Sequence, residues 1–182
     1  MYLWWFRHSY HCRRLVVDVN GGAAFTAIQP AIDAANEGDI VLVKNGIYAG
    51  FEIDSKSISV VAHLDETVGI RTPVNVQNLL TNQRVSLINL EATVEATLDG
   101  SGLLAVNDIG TIRALGCTFT GARDSQYFFS LVPDGAAGVK LIDTTKIAFA
   151  GCVISGGEGT YTSVLYYQGG NAATVPTVFV VP

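Results

Sequence analysis

Residues 25–48, FTAIQPAIDAANEGDIVLVKNGIY, decide the fold, because an amphipathic helical pattern in them runs directly into a short apolar strand. Thr26 followed by Gln29 matches a capping box, and the apolar residues after it recur at helical spacing. An Asn-Glu-Gly sequence then stops the helix, which we predict over residues 26–37. Since only a tight turn separates it from the strand 40–43, we expect the helix to fold back and cover one end of a stack of strands.

The chain beyond residue 48 repeats that strand. Ile58, Val85, Ile112 and Ile147 can be set in register at intervals of 27, 27 and 35 residues. After each of the last three, two short alternating apolar segments meet at a corner, formed by Asn89, Gly116 and Gly151. This repeat predicts an all-β chain of about five or six coils, with like residues stacked about 4.8 Å apart in parallel sheets. An antiparallel sandwich whose strands align by accident is the alternative.

The first coil resembles that of a known superfamily. Its motifs are FxxIQxAIDAA at residues 25–35, GDxVLV at 38–43 and GxY at 46–48. Together they resemble the pectin-lyase-like superfamily, which includes pectin methylesterases and uncharacterised bacterial surface proteins. The resemblance covers residues 17–61, about a quarter of the chain.

This resemblance implies a fold and a type of ligand. The implied fold is a right-handed, single-stranded parallel β-helix with an N-terminal capping α-helix. The superfamily contacts polysaccharide along one face and often works outside the cell, so an extracellular or cell-surface location is expected. The paired glutamines and the Arg-Pro-Trp segment of pectin methylesterases have no counterpart in the chain, so esterase activity is not implied.

Composition limits the other classes of function. A chain of 182 residues suits one domain, which we place at residues 15–182 after a tail, 1–14, that we expect to be disordered. A sticky aromatic anchor is the alternative interpretation of the tail. The net charge of −5 argues against nucleic acid or an anionic membrane as a partner. No signal peptide or membrane-spanning run is recognised in the sequence.

Two aspartates are candidate catalytic residues. Asp108 and Asp143 both lie four residues before the repeated apolar position, so we expect them to be neighbours on adjacent coils. Stacked carboxylates share a proton or hold calcium with other oxygens, and both arrangements suit polysaccharide chemistry. Arg113 and Lys146 are the cations that would assist a lyase or hydrolase. The alternative interpretation is that the aspartates stabilise turns through bonds to the backbone.

Aromatic and basic residues near the end of the repeat are candidate binding residues. Arg123 and Tyr127 lie in an excursion between coils, and Tyr161 and Tyr166 follow the last repeat. Exposed tyrosines stack on sugar rings, but packing in the core is the more ordinary use of them. No histidine or cysteine spacing predicts a transition-metal site, and no cofactor is expected unless calcium binds the carboxylates. Cys117 and Cys152 are expected to stack in the interior as small apolar side chains.

Three functions remain open at this stage. The first is a surface or extracellular scaffold that binds a polymer, most naturally polysaccharide, without a catalytic motif. The second is a polysaccharide lyase or glycoside hydrolase that uses the stacked carboxylates. The third is a structural fragment of a longer repeat protein. In addition, the apolar run 174–182 has no helix to cover it, so we expect self-association through the C-terminal end.

Overall fold

The computed structural model describes residues 12–71, 73–94, 100–122, 134–157, 161–162, 165–168 and 177–181, of which 134–135 and those from 161 onward are described as backbone only. One helix, α1, spans Ile28–Ala34. The strands, in chain order, are β1 (Arg14–Val17), β2 (Ile40–Val43), β3 (Gly46–Tyr48), β4 (Glu52–Asp54), β5 (Ile58–Ala62), β6 (Val68–Ile70), β7 (Val74–Gln77), β8 (Arg84–Ile88), β9 (Leu90–Thr93), β10 (Leu103–Val106), β11 (Thr111–Leu115), β12 (Thr118–Thr120), β13 (Asp134–Gly135), β14 (Val139–Ile142), β15 (Lys146–Ala150), β16 (Val153–Ser155), β17 (Tyr161–Thr162), β18 (Leu165–Gln168) and β19 (Thr177–Val181).

The strands form three long sheets, and every strand pair in them is parallel. Sheet 1 has the order β1-β2-β5-β8-β11-β15-β19, sheet 2 the order β3-β6-β9-β12-β16, and sheet 3 the order β4-β7-β10-β14-β18. Successive coils therefore add one strand to each sheet, as in a parallel β-helix. The antiparallel sandwich is excluded for the described residues, because each of their strand pairs is parallel.

The interior is a stack of apolar residues that repeat from coil to coil. Ile58 pairs with Val85, Val85 with Ile112, and Ile112 with Ile147, so the predicted register is confirmed. All four side chains are at most 1% exposed. Because successive side chains of a strand point to opposite faces, the neighbours of each face outward. The core is thus built from alternate residues of the three sheets.

Two sets of corners turn the chain between sheets. Asn89, Gly116 and Gly151 link sheet 1 to sheet 2 with positive φ angles of 56°, 60° and 59°. Asparagine and glycine tolerate this left-handed conformation better than other residues, which explains their recurrence at the predicted corner. A second set links sheet 3 to sheet 1, at Ser55, Asn78, Asn107 and Asp143, with φ between 50° and 58°. Sheet 3 and this second corner were not predicted from the sequence.

The helix α1 is shorter than predicted and has a different N-terminus. Its N-cap is Ala27, without a side-chain hydrogen bond, so the capping box predicted for Thr26 and Gln29 is wrong. The Gln29 amide is used elsewhere: its nitrogen donates to Asp33 and to the Glu52 carbonyl, and its oxygen accepts from the Glu52 N–H. Tertiary contacts have thus replaced the local cap.

Packing holds α1 in place. Ile28, Ala31 and Ile32 are buried, and the helix contacts β1 and β2. At its C-terminus the Lys56 ammonium donates to the carbonyls of Ile32 and Ala35, at 2.8 and 3.0 Å, where a cation is favoured. In the described part of the chain, no helix has the length and apolarity needed to cross a membrane.

Candidate functional site

The outer face of sheet 2 carries a shallow groove. Ile47, Gly69 and Glu91 occupy the same outward register position on β3, β6 and β9. Gly69 has no side chain, so the surface drops to the backbone between the Ile47 and Glu91 side chains. A Cβ atom added to Gly69 would lie 3.7 Å from Cγ1 of Ile47, which is ordinary van der Waals contact. The depression therefore results from the missing side chain and needs no unusual backbone.

The groove has an apolar side and a polar side. Its volume is about 220 Å³. Ile47, whose side chain is 60% exposed, provides the apolar surface. Polar groups come from Asn45, Thr67, Arg71, Glu91 and Thr93. One cation and one carboxylate therefore line the same space, together with two hydroxyls and one amide. Such a lining suits a ligand with many hydroxyl groups and little net charge.

Hydrogen bonds between neighbouring coils hold four of the lining residues in place. The Gly46 N–H donates to the Thr67 carbonyl at 3.2 Å, and the Arg71 N–H donates to the Tyr48 carbonyl at 3.1 Å. The Asn45 N–H donates to the Glu66 carboxylate at 2.7 Å. The bonds of Gly46 and Asn45 join the loops before β3 and β6, and the Arg71 bond joins the C-terminal ends of the same two strands. The groove is therefore lined by residues of three neighbouring strands, β3, β6 and β9, and of the loops that adjoin β3 and β6.

Asp108, the first predicted catalytic residue, lies in the interior. It is 0% exposed. One carboxylate oxygen, Oδ1, accepts from the Leu79 N–H at 2.9 Å, whereas Oδ2 has no hydrogen-bond partner. Burial raises the pKa of this carboxyl to about 7, against the lowering effect of the Leu79 N–H, and the nearby Asp54 charge adds to the increase. A carboxyl enclosed in this way does not reach a polymer on the surface.

Asp143 is not the register neighbour that the sequence predicted. β10 and β14 pair Val106 with Ile142, so the next residues in line are Asn107 and Asp143, and Asp108 aligns with Thr144. Asp143 is exposed, whereas Asp108 is buried. The sequence analysis aligned the two aspartates by their common distance of four residues from sheet 1. The corner between sheets 3 and 1 varies in length from coil to coil, so this alignment does not hold. The expected stack of two carboxylates is therefore corrected to a stack of corner residues.

Arg113 and Lys146 lie on the outer face of sheet 1. Arg113 is in β11 and Lys146 begins β15, and both side chains are exposed. Asp108 points into the interior, so the four predicted catalytic residues do not converge on one surface site. The catalytic roles themselves remain predictions, since no experiment on activity bears on them. The structure changes only the expected positions of the four side chains relative to one another.

The predicted binding residues are only partly within the described structure. Arg123 and Tyr127 lie outside the described residues. The backbone of Tyr161 pairs with Asp134, and that of Tyr166 pairs with Lys140. Tyr166 thus occupies a position on sheet 3, away from the groove on sheet 2. Their roles in binding remain predictions.

Metal ligands and thiols offer no second site among the described residues. Within them, no group of three or more His, Cys, Asp or Glu side chains is placed to hold a metal ion. Calcium binding remains a prediction. Cys117 is 1% exposed, its thiol donates to the Leu87 carbonyl, and burial raises its pKa to about 11. A thiol with so high a pKa is a poor nucleophile at neutral pH.

Sequence reasoning missed the groove, although one signal for it exists. In Val68-Gly69-Ile70 a glycine stands between two β-branched residues of a strand, where it gives up side-chain packing. Glycine in a strand interior often marks close approach of a ligand or another backbone. The polar residues Glu91 and Thr93 lie on the next coil. Their proximity to Gly69 follows only from the register between β6 and β9, which the sequence analysis did not have.

Comparisons with known proteins identified no relative: a scan against protein-family models, a search of curated proteins and a search of solved structures each found no match. The superfamily resemblance of the first coil therefore stays a prediction. The architecture itself, stacked parallel strands in three sheets, is compatible with a parallel β-helix.

Proposed function

We propose that this chain is a right-handed parallel β-helix, with α1 covering its N-terminal end, that binds polysaccharide in the groove on sheet 2 without cleaving it. The proposed right-handedness rests on the first-coil resemblance. The proposed cap is supported by the contacts of α1 with β1 and β2, the first two strands of sheet 1. An extracellular or cell-surface location is part of the same proposal.

One observation carries the proposal: the groove places one exposed aliphatic side chain and five polar side chains around the same space. A sugar ring offers C–H groups on one face and hydroxyls at its edge, so Ile47 would contact the face while Glu91, Thr93 and Asn45 hydrogen-bond the edge. The volume of about 220 Å³ is below the roughly 300–1,000 Å³ of pockets for drug-sized ligands. It therefore suits one sugar unit of a chain that continues along the surface.

The lining also supports binding over cleavage. Most glycosidases use a pair of carboxyl groups on either side of the bond to be broken. Among the described residues that line the groove, Glu91 is the one acidic residue. Asp108, the acid with the most perturbed pKa among the described residues, is buried elsewhere. A lyase or hydrolase at the exposed Asp143 is the rival proposal, and a structural fragment of a longer repeat protein is the third.

Binding and cleavage can be tested with one panel of uronic-acid and neutral oligosaccharides, with and without calcium. We expect saturable binding of at least one glycan and no release of products. Gly69→Leu should weaken this binding by at least about tenfold, because the new side chain fills the groove while the backbone at Gly69 needs no left-handed conformation. Ser86→Leu, at an outward position of β8 on sheet 1, is the matched control and should bind normally.

Two results would contradict the proposal. One is glycan binding that Gly69→Leu leaves unchanged, since the site would then lie elsewhere. The other is release of products that Asp143→Asn abolishes, which would establish the rival enzyme. Circular dichroism of each variant confirms that the fold is retained before binding is compared.

A further inference from the structure

The outer face of sheet 1 presents an unbroken aliphatic row. At one outward register position, successive strands β1, β2, β5, β8, β11 and β15 carry Val16, Leu42, Val61, Ile88, Leu115 and Ala150. All six side chains are partly exposed, and Leu115 is 41% exposed. With strands about 4.8 Å apart, the row is about 24 Å long. A contiguous apolar surface of this kind marks an interaction site more often than scattered apolar residues do.

The charge of this face differs from that of the rest of the molecule. None of the seven strands of sheet 1 contains an aspartate or glutamate, although the whole chain has a net charge of −5. Four cations occupy outward positions on the same face. Arg14 and Arg113 lie two residues before the row on their strands, and Arg84 and Lys146 lie four residues before it. Among the described residues none of the four belongs to an ion pair. Sheet 3, in contrast, carries Glu52 and Asp54 on its outer face.

We infer that this face, the Val16–Ala150 row with its four cations, docks an acidic, aliphatic segment of a partner protein. The aliphatic row would bury apolar side chains of the segment, and the adjacent cations would pair with its carboxylates. Charge complementarity favours an acidic partner, since the cations of this face lie on strands that contain no acidic residue. This surface is on a different sheet from the glycan groove, so the inference does not depend on the proposed function.

Two other classes of partner fit the face less well. Interfacial binding to a membrane needs apolar side chains buried about 5–10 Å into the boundary between headgroups and acyl chains, whereas these side chains are flush with a sheet and mostly half-buried. A sugar ring needs hydrogen-bonding groups at its edge as well as an apolar surface, and the side chains of the described row are all aliphatic. Aliphatic side chains of a protein segment are the natural complement of an aliphatic row.

A synthetic helical peptide provides a direct probe. A helix rises about 1.5 Å per residue, so about 16 residues span the row. The peptide carries leucines at helical spacing on one face and glutamates on both flanks, and a second version has lysine in place of every glutamate. We expect saturable binding of the acidic peptide with a Kd of about 100 micromolar or tighter, weaker at high salt, and no binding of the basic one.

Variants assign the binding to this face. Leu115→Asp and Arg113→Glu should each weaken binding of the acidic peptide by at least about tenfold. Leu64→Asp is the matched control, because Leu64 is 79% exposed in the loop before β6 and lies off the row, and it should bind normally. Absence of saturable binding, or binding that neither variant weakens, would overturn the inference. Binding of phosphatidylglycerol vesicles that both variants abolish, without peptide binding, would overturn it in favour of a lipid surface.

Discussion

At the scale of single residues, Asp108 shows how the β-helix treats a polar group in its interior. Its Oδ1 is bonded to Leu79 on the preceding coil, and its carbonyl accepts from the Thr145 N–H and hydroxyl on the following coil, at 2.8 and 3.2 Å. One residue thus links three coils. Oδ2 is buried without a hydrogen-bond partner. A negative charge is unfavourable on such an atom, which explains why the neutral acid is favoured.

This burial predicts a dependence of stability on pH. The folded pKa of Asp108, about 7, lies above its ordinary value of 3.8. Its contribution to folding is therefore fully favourable below pH 3.8 and is lost as the pH rises to about 7, because the folded protein then has to ionise a buried acid. Asp108→Asn keeps the acceptor for Leu79 and cannot ionise. We expect it to raise the free energy of unfolding at pH 8 by an amount on the order of a few kcal/mol.

Urea unfolding of both proteins at pH 5 and pH 8 measures this difference. The gain from Asp108→Asn should be much smaller at pH 5 than at pH 8. An equal effect at the two pH values would show that Asp108 does not titrate between them. Asp33→Asn is the control, because Asp33 is an exposed aspartate on α1.

At the scale of elements, Asp39 fastens β1 to the first coil. Its side chain is 1% exposed and accepts from the N–H groups of Arg13 and Asn36, both at 2.8 Å. It also forms an ion pair with the Arg13 guanidinium at 3.0 Å. Burial opposes ionisation, but the donors at Asn36 and Arg13 outweigh it and lower the pKa of Asp39. The sequence analysis placed Arg13 and Arg14 in the tail; in the structure Arg13 forms this ion pair and Arg14 begins β1.

Removing this carboxylate should loosen β1. Asp39→Ala leaves the Asn36 and Arg13 N–H groups without their acceptor, which we expect to lower the free energy of unfolding by about 2–3 kcal/mol. Because the pKa of Asp39 is lowered, its contribution is present above its ordinary pKa of 3.8 and is lost as the pH falls below that value. Thermal unfolding at pH 7 measures the loss. A change below about 0.5 kcal/mol, the range of ordinary surface substitutions, would contradict this role.

The strands differ in how well the sequence predicts them. Sheets 1 and 2 could be predicted because their inward residues repeat at a short, constant spacing around the Asn89 corner. Sheet 3 could not, since the segments joining it to sheet 1 have three, six, four and three residues after β4, β7, β10 and β14. The same variation in segment length explains why the sequence analysis wrongly aligned Asp143 with Asp108. The groove at Gly69 was hidden for a related reason, because its lining comes from three coils.

At the scale of the whole molecule, sheet 1 ends in β19, whose backbone pairs with β15. Its sequence, TVFVV, has no charge or proline to discourage pairing of the other edge. We therefore expect self-association through this strand, a prediction that the structure of one chain does not test. Sedimentation should show a mass that increases with concentration up to tens of micromolar. A concentration-independent monomer would contradict it, and Val181→Lys, at the register position of the outward-facing Ala150, should restore the monomer if β19 is responsible.

The most direct test of the central claim, that sheet 2 binds a glycan, is to map the site by NMR. The 19.3 kDa chain, labelled with ¹⁵N, would be titrated with the oligosaccharide that binds best in the panel. We predict that the amide signals of Gly69, Glu91 and Thr93 shift together with a common Kd, while those of Arg113 and Asp108 stay in place. Shifts confined to sheet 1 or to the corner around Asp108, or no saturable shift with any glycan of the panel, would contradict the claim.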